Sequence, residues 1–383
     1  MKPSSAHRLQ AAKSADDSFI TDKIKYILMK KHSDAELSGV KEIARRANVS
    51  IATVDRVIHN RTGVSENTRN TILAIIKELD YQPNILARRL ASKKQLHLAI
   101  LIPAISQETE FWKAPLTGIE QAESEIRQYG IRIEKYFFDQ NDKTSFVAQT
   151  KKILKSTVDG ILLAPSFINE SLEFTRECQH LNIPYVFINS DIPNQDSLGY
   201  IGPDLFHSGY LSAHLTNYAV EQNGKVLIIN ISKEMDNFHH LLRKEEGFTA
   251  YFKDNQKNNS IVKADIRQTD YPSVAGRLKE LLVAHPDVKA IFVTNSRVFS
   301  VARFLEESEI KDVLLIGYDY LTENISYLKS GAIDFLICQK PQEQGYRGIM
   351  TLYQNLVLHT EVDKAYFMPI DIITKENYKF YRN

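Results

Sequence analysis

The chain has 383 residues, 43% of them hydrophobic, and its 48 basic residues almost balance 47 acidic ones. That is an ordinary globular composition, long enough for two or three domains each with its own core. No apolar run approaches the roughly 20 residues that span a bilayer. The first 30 residues are polar and hold no signal-peptide core. Two cysteines, Cys178 and Cys338, are too few for a disulfide framework or a thiolate zinc site, so a reducing cytoplasm is the expected location.

In chain order, residues 1–38 show weak periodicity and read as a leader, poorly ordered or loosely helical, with Met29 as an alternative start. From Val40 the pattern becomes compact and helical. Val40, Ile43, Ala44 and Ala47 share one face, as do Val54, Val57 and Ile58 in the next segment. Ser50 and Ser65 stand where N-caps belong, and Ser65 opens a third helix carrying Ile72, Leu73, Ile75, Ile76 and Leu79. Pro83 interrupts the chain, and NILARRLASKK follows as a short basic helix. Between Val40 and Gln95 eleven Lys or Arg face five acids, a basic excess that fits either a solvated face or a nucleic-acid contact. The expected domains are a helix-turn-helix module at 39–82, a hinge helix and linker at 83–95, and a larger domain at 96–383.

After Leu96 apolar strand runs alternate with helix-length segments: LHLAILIP, IRIEKYFF, GILLAP, YVFIN, LGYIG, KVLIIN, IVKADI, AIFVTN, LLIGYD and DFLICQ. Alternation of this kind specifies βαβ units and parallel sheets covered by helices on both faces. Ten strands exceed one comfortable sheet, so two similar lobes are expected. Ligands then belong at the carboxyl ends of the strands, in the cleft between the lobes.

VKEIARRANVSIATVDRVI reads as helix, tight turn, helix, with the second helix at Ile51–Ile58. A helix that enters the major groove by its N-terminus needs small residues there and side chains that reach base edges. Ala52 and Thr53 allow close approach, Ile51 offers an apolar surface to a thymine methyl, and Arg56 can reach guanine or a phosphate. A plain helical hairpin with Arg56 as a surface charge has the same pattern.

Taken together, VKEIARRANVSIATVDRVI, GVSENTRNTILAIIKELDYQPN and LARRLASKK ahead of a two-lobed α/β region resemble the lactose-repressor (LacI/GalR) family of bacterial transcription regulators. The resemblance runs over about residues 40–383, with HLLRKEEGF, LLIGYD and CQKPQEQGY in the expected order. It implies that Ile51 and Ala52 are the base-reading pair and Arg56 a guanine or phosphate contact. Ser50, Thr53 and Asn60 would anchor the DNA backbone. Tyr81 and Asn84 would flank the turn into a hinge helix. Leu90 would wedge into the operator's minor groove beside Arg88 and Arg89, although it also fits a core leucine. Asp55 replaces the usual serine; it would accept from a cytosine amino group or, on the reading preferred here, orient Arg56.

In the lobes the resemblance extends to sugar receptors, whose clefts join a stacking aromatic to carboxylates, amides and an arginine. The corresponding places hold Phe111 and Trp112, Asn189 and Asp191, Arg243, Asn295, Asp319 and Gln339, most of them just past strand C-termini. Each has a plainer alternative: Trp112 as a core anchor, Arg243 paired with Glu245 or Glu246, Asp319 as a cap. Asn295-Ser296 replaces the family's more common Asn-Asp, which removes one acceptor for sugar hydroxyls and bears against a neutral sugar.

No Walker loop, G-x-S-x-G elbow, H-E-x-x-H or Cys/His cluster is present, so no enzyme, metal or cofactor is expected. The expectation is a cytoplasmic homodimeric repressor without membrane association. It would bind double-stranded, pseudo-palindromic operator DNA and respond to a carbohydrate effector held between the lobes. A sugar receptor without DNA function is the alternative.

Overall fold

The computed structural model describes residues 39–58, 61–79, 81, 95–106, 110–220, 224–233 and 239–383. The chain divides into two compact units, residues 1–93 and 94–383.

The smaller unit contains three helices: α1 (residues 39–46), α2 (Ile51–Ile58) and α3 (Glu66–Glu78). The apolar faces read from the three-and-four spacing meet in one core, where Ile43, Val54 and Ile72 are fully buried. Between α1 and α2 the chain turns at Asn48, left-handed at φ 52°, while the Val49 amide donates back to the Ala44 carbonyl at 3.0 Å. Asparagine tolerates that conformation better than most residues, so it ends α1 sharply. Ser50 Oγ then accepts from the Thr53 amide at 3.1 Å, and Ser65 Oγ from the Thr68 amide at 3.3 Å. Both serines thus cap the helices that follow them.

The larger unit is built from two six-stranded sheets. Its elements in chain order begin with β1 (Leu96–Pro103), α4 (Lys113–Ile126), β2 (Ile131–Phe138), α5 (Lys143–Lys155), β3 (Gly160–Leu163), α6 (Ile168–His180), β4 (Tyr185–Ile188) and β5 (Gly199–Gly202). They continue with α7 (Leu205–Ala219), β6 (Lys225–Ile231), α8 (His239–Asp254), β7 (Ile261–Ile266), α9 (Tyr271–Ala284), β8 (Val288–Val293), α10 (Val298–Glu307) and β9 (Leu314–Tyr318). The last are α11 (Thr322–Ser330), β10 (Phe335–Cys338), α12 (Pro341–Tyr353), β11 (Ala365–Phe367) and β12 (Asp371–Ile373). One sheet runs β11-β5-β4-β3-β1-β2 and the other β12-β10-β9-β8-β6-β7. All pairs are parallel except β10–β12, which is antiparallel. The central strands are buried on both faces, as parallel strands flanked by helices must be.

Sequence periodicity found the ten long strands. β11 and β12 lie outside those ten runs, because strands of three residues carry almost no periodic signal. These two short strands matter to the architecture. β1 to β5 form the first lobe, β6 to β10 the second, and β11 and β12 return one strand to each. The chain therefore crosses between lobes after β5, after β10 and between β11 and β12.

Each lobe also carries a helix pair in backbone contact, α4 with α12 and α7 with α8. A Cβ on Gly118 would meet the Gln342 carbonyl oxygen at 1.8 Å, and one on Gly345 the Pro115 oxygen at 2.1 Å. In the second lobe a Cβ on Gly209 would meet the Lys244 oxygen at 1.8 Å, and one on Gly247 the Phe206 oxygen at 1.9 Å. Glycine is required at these crossings because no side chain fits between the helices.

Candidate functional site

The cleft between the lobes is lined from both sides by residues just beyond strand C-termini. The first lobe supplies Phe111, Trp112, Gln140, Ser166, Asn189 and Ser190; the second supplies His240, Lys244, Asn295, Ser296, Arg297 and Asp319, with Gln339 at a crossing. The cavity, about 80 Å³, is open to solvent on one side. Phe111 and Trp112 pack edge to face, centroids 5.2 Å apart, at the start of α4. They form an aromatic wall with no titratable group.

Two loops place acceptors in the cleft by the same device. Asn189 follows β4 and Asp319 follows β9, and both are left-handed, at φ 67° and 76°. That conformation is uncommon outside glycine and recurs where a site holds a side chain in a set direction. Asn324 Nδ2 donates to the carbonyls of Ser296, Tyr318 and Asp319, at 3.1, 2.9 and 3.0 Å, and so locks the β9 loop. Asn295 is used up structurally: its Nδ2 donates to Ile231 O at 2.8 Å, and its Oδ1 accepts from the Arg297 amide at 3.1 Å.

By contrast, Asp319 Oδ1 and Gln339 Oε1 are buried and have no hydrogen-bond partner. Burial pushes the Asp319 carboxyl up to about 6, against the pull of Lys244 and a hydrogen bond from Gln339. Burial also pulls the Lys244 ammonium down to about 8. Lys244 donates to the Thr294 carbonyl at 3.2 Å, and Thr294 Oγ1 in turn donates to Asn230 Oδ1 at 2.6 Å.

Six of the eight residues expected in the cleft therefore line one cavity: Phe111, Trp112, Asn189, Asn295, Asp319 and Gln339. Asp191 and Arg243 do not. They face a neighbouring hollow with His239 and Glu246, where Arg243 pairs with Glu246 and lies over the Phe206 ring. The reason is helix phase. The buried face of α8 runs Leu241, Lys244, Gly247 and Phe248, so the basic side chain aimed inward is Lys244, one position on. That three-and-four spacing was present in the sequence. Gln140, Ser166 and Arg297 were also missed, although each lies just past a strand end.

In the smaller unit Ile51 is 49% exposed at the first turn of α2, beside exposed Ala52 and Arg56. Ser50 and Thr53 join their hydroxyls at 2.9 Å. Asp55 pairs with Arg61 at 3.2 Å and not with Arg56, so the expected orienting role passes to a different arginine. Tyr81 packs on the helical core, so closely that a Cβ on Gly39 would stand 2.7 Å from its ring. Glu42 binds both Arg45 and Arg46, whose hydrogen bonds hold its carboxyl down at about 2. Asn60, Asn84, Arg88, Arg89 and Leu90 lie outside the described residues, as does the expected hinge helix. Among the described residues no cluster of three or more His, Cys, Asp or Glu is placed to hold a metal. None of the helices there is long and apolar enough to cross a membrane.

Residues 39–84 match the model of bacterial regulatory proteins, lacI family, and residues 99–358 match the periplasmic binding protein domain. The ribose operon repressor of Halalkalibacterium halodurans is 27% identical over 295 residues, which is 74% of this chain and 80% of that one. The transcriptional regulator MalR of Streptococcus pneumoniae is 23% identical over 340 residues, 85% and 99% of the two chains. A Bacteroides fragilis structure assigned as a LacI transcriptional regulator superposes with a TM-score of 0.71 at 29% identity, over 76% of this chain and all of that one.

Proposed function

Because the chain belongs to the lacI family of bacterial regulatory proteins, with a helix-turn-helix module ahead of a periplasmic-binding-protein domain, we propose that it is a ligand-responsive repressor. Its dimer binds a pseudo-palindromic operator, one module in the major groove of each half-site. The effector is a small polyol held between the lobes.

The observation that carries the ligand reading is the pair of buried, unpartnered acceptors, Asp319 Oδ1 and Gln339 Oε1, in a cleft whose other wall is Phe111 and Trp112. A buried acceptor without a donor is costly, and ligand hydroxyls are suited to supply the missing donors. The C–H face of a sugar ring is apolar enough to rest on the aromatic wall. The relative named for a ribose operon supports a sugar-type effector.

The DNA reading is supported by Ile51, an exposed isoleucine at the N-terminus of a serine-capped helix, flanked by alanine and threonine. Ile51, Ala52 and Arg56 would touch base edges, while Ser50 and Thr53 would touch phosphates. Ligand closure of the lobes changes the operator affinity, with a coupling typically of roughly 1–3 kcal/mol.

Selection of the full-length protein against random duplexes, at two salt concentrations, tests the reading. Enrichment of a two-fold-related site of about 14–20 base pairs is the expected result. Sequence-blind binding alone, with and without sugars present, would overturn it.

A further inference from the structure

The two walls of the cleft differ in charge. The first lobe contributes aromatic rings, amides and hydroxyls, with no ionisable carboxylate or amine among the described lining residues. Among the described residues the second contributes one lysine, Lys244, only 4% exposed, and one carboxylate, Asp319.

Lys244 is the unusual member. Its ammonium makes one hydrogen bond, to the Thr294 carbonyl at 3.2 Å, and otherwise lies over the Tyr318 ring. Among the described residues no carboxylate comes within ion-pair distance, and Asp319 acts on it only through space. An ammonium has three N–H groups to satisfy, and a buried one is held at a large desolvation cost unless an anion faces it. The cleft provides the place for that anion, since Lys244 lines the cavity that Asp319 and Gln339 also line.

We propose that the effector is an anionic polyol, a monosaccharide-sized molecule bearing a carboxylate or a phosphate. The anionic group pairs with Lys244 on the second lobe, while hydroxyls donate to Asp319 and Gln339 and the ring's apolar face meets Phe111 and Trp112. The inference rests on the reading of the cleft as a polyol site and adds the charge.

The test is calorimetric titration of the full-length protein with matched sets on one carbon skeleton. One set is D-galactose, D-galactonate, D-galacturonate and galactose 6-phosphate; parallel sets start from glucose, arabinose and ribose. In at least one set an acid or a phosphate should bind at least about tenfold more tightly than its neutral parent. The acid and phosphate arms separate the two kinds of anion. Lys244→Met, which keeps the apolar stem, should erase that preference, and Lys244→Arg should retain most of it. A thermal melt of each variant establishes that it is folded. Neutral sugars binding as well as, or better than, their anionic partners would overturn the anionic effector while leaving the polyol cleft standing. Preference undiminished in folded Lys244→Met would overturn the role of Lys244. No binding by any member of any set would remove the polyol reading and this inference together.

Discussion

The ammonium of Lys244 lies 3.6 Å from the centre of the Tyr318 ring, whose hydroxyl shares a 2.9 Å hydrogen bond with Ser208. A cation–π contact offsets part of the cost of burying the charge, but among the described residues no carboxylate lies within ion-pair distance of it. Ligand-free Lys244→Met should therefore be more stable than the parent at pH 7, by about 1–3 kcal/mol. The pH dependence follows in sign. Burial lowers the lysine from 10.5 to about 8 in the folded protein, so from about pH 8 to 10.5 the unfolded chain binds one proton more than the folded one. This group's contribution makes stability rise with pH across that window. Urea midpoints at pH 7 and 9.5 should show the variant ahead at pH 7 and the gap narrowing at pH 9.5. A constant gap would mean that the lysine is already neutral or already paired.

Arg243 supplies the contrast one residue earlier. It pairs with Glu246 on the same helix, at a partly exposed site outside the cavity. Arg243→Ala should change effector affinity by less than about threefold, in keeping with a solvent-screened pair. A loss comparable with that of Lys244→Met would place Arg243 in the ligand's reach.

The adjacent pair also shows where the sequence was legible and where it was not. The ten strands were readable because short apolar or alternating runs recur between helix-length segments. Asn189, Asp319 and Gln339 each follow a strand directly, and the shared strand direction brings them into one cavity lining. Asp191, three residues past β4 and beyond the left-handed turn at Asn189, lies outside that lining. On α8 the resemblance pointed to Arg243, whereas the helix phase turns Lys244 inward. Asp55 is a different case. Its partner Arg61 lies beyond the end of α2, and no local spacing rule reports where a loop brings an arginine.

Asp319→Ala should abolish the effector's influence on operator binding and leave ligand-free operator affinity unchanged. Its Oδ1 has no partner to lose; the carboxyl's other contacts are the hydrogen bond from Gln339 and the attraction of Lys244, so a thermal melt is run beside the titrations to establish that the variant is folded. Its backbone carbonyl, which accepts from Asn324, is retained in the variant. Operator titrations with and without effector provide the measurement. An unchanged response would remove Asp319 from the ligand's contacts.

Gly209→Ala tests the helix contact that holds Lys244 in position. The added methyl would stand 1.8 Å from the Lys244 carbonyl, so α7 and α8 must separate. Overpacking of this kind typically costs about 1–3 kcal/mol and can cost more against rigid backbone. The thermal midpoint should fall, and effector affinity should weaken through displacement of Lys244. Gly276→Ala is the control, since its Cβ meets nothing within 4 Å and glycine is a poor helix former. That variant should be as stable as the parent or slightly more so.

Arg56→Ala addresses the smaller unit. Arg56 is exposed on α2, one turn beyond Ile51, and its ion-pairing neighbour Asp55 is committed to Arg61. The arginine is therefore available to DNA without first breaking a salt bridge. If it reads a base, the variant should lose about 1–3 kcal/mol on the selected operator, and preference should relax at one symmetric pair of positions. If it touches only phosphate, affinity should fall by a similar factor on every duplex and the salt dependence should become shallower by about one contact per half-site. Competition binding of the variant on the operator and on single-position variants of it, at two salt concentrations, separates the two outcomes. Ile51→Ala, which removes an apolar contact without touching charge, should relax preference at a neighbouring position and leave the salt dependence as it was. An Ile51→Ala protein with undiminished specificity would mean that α2 meets DNA by some other face.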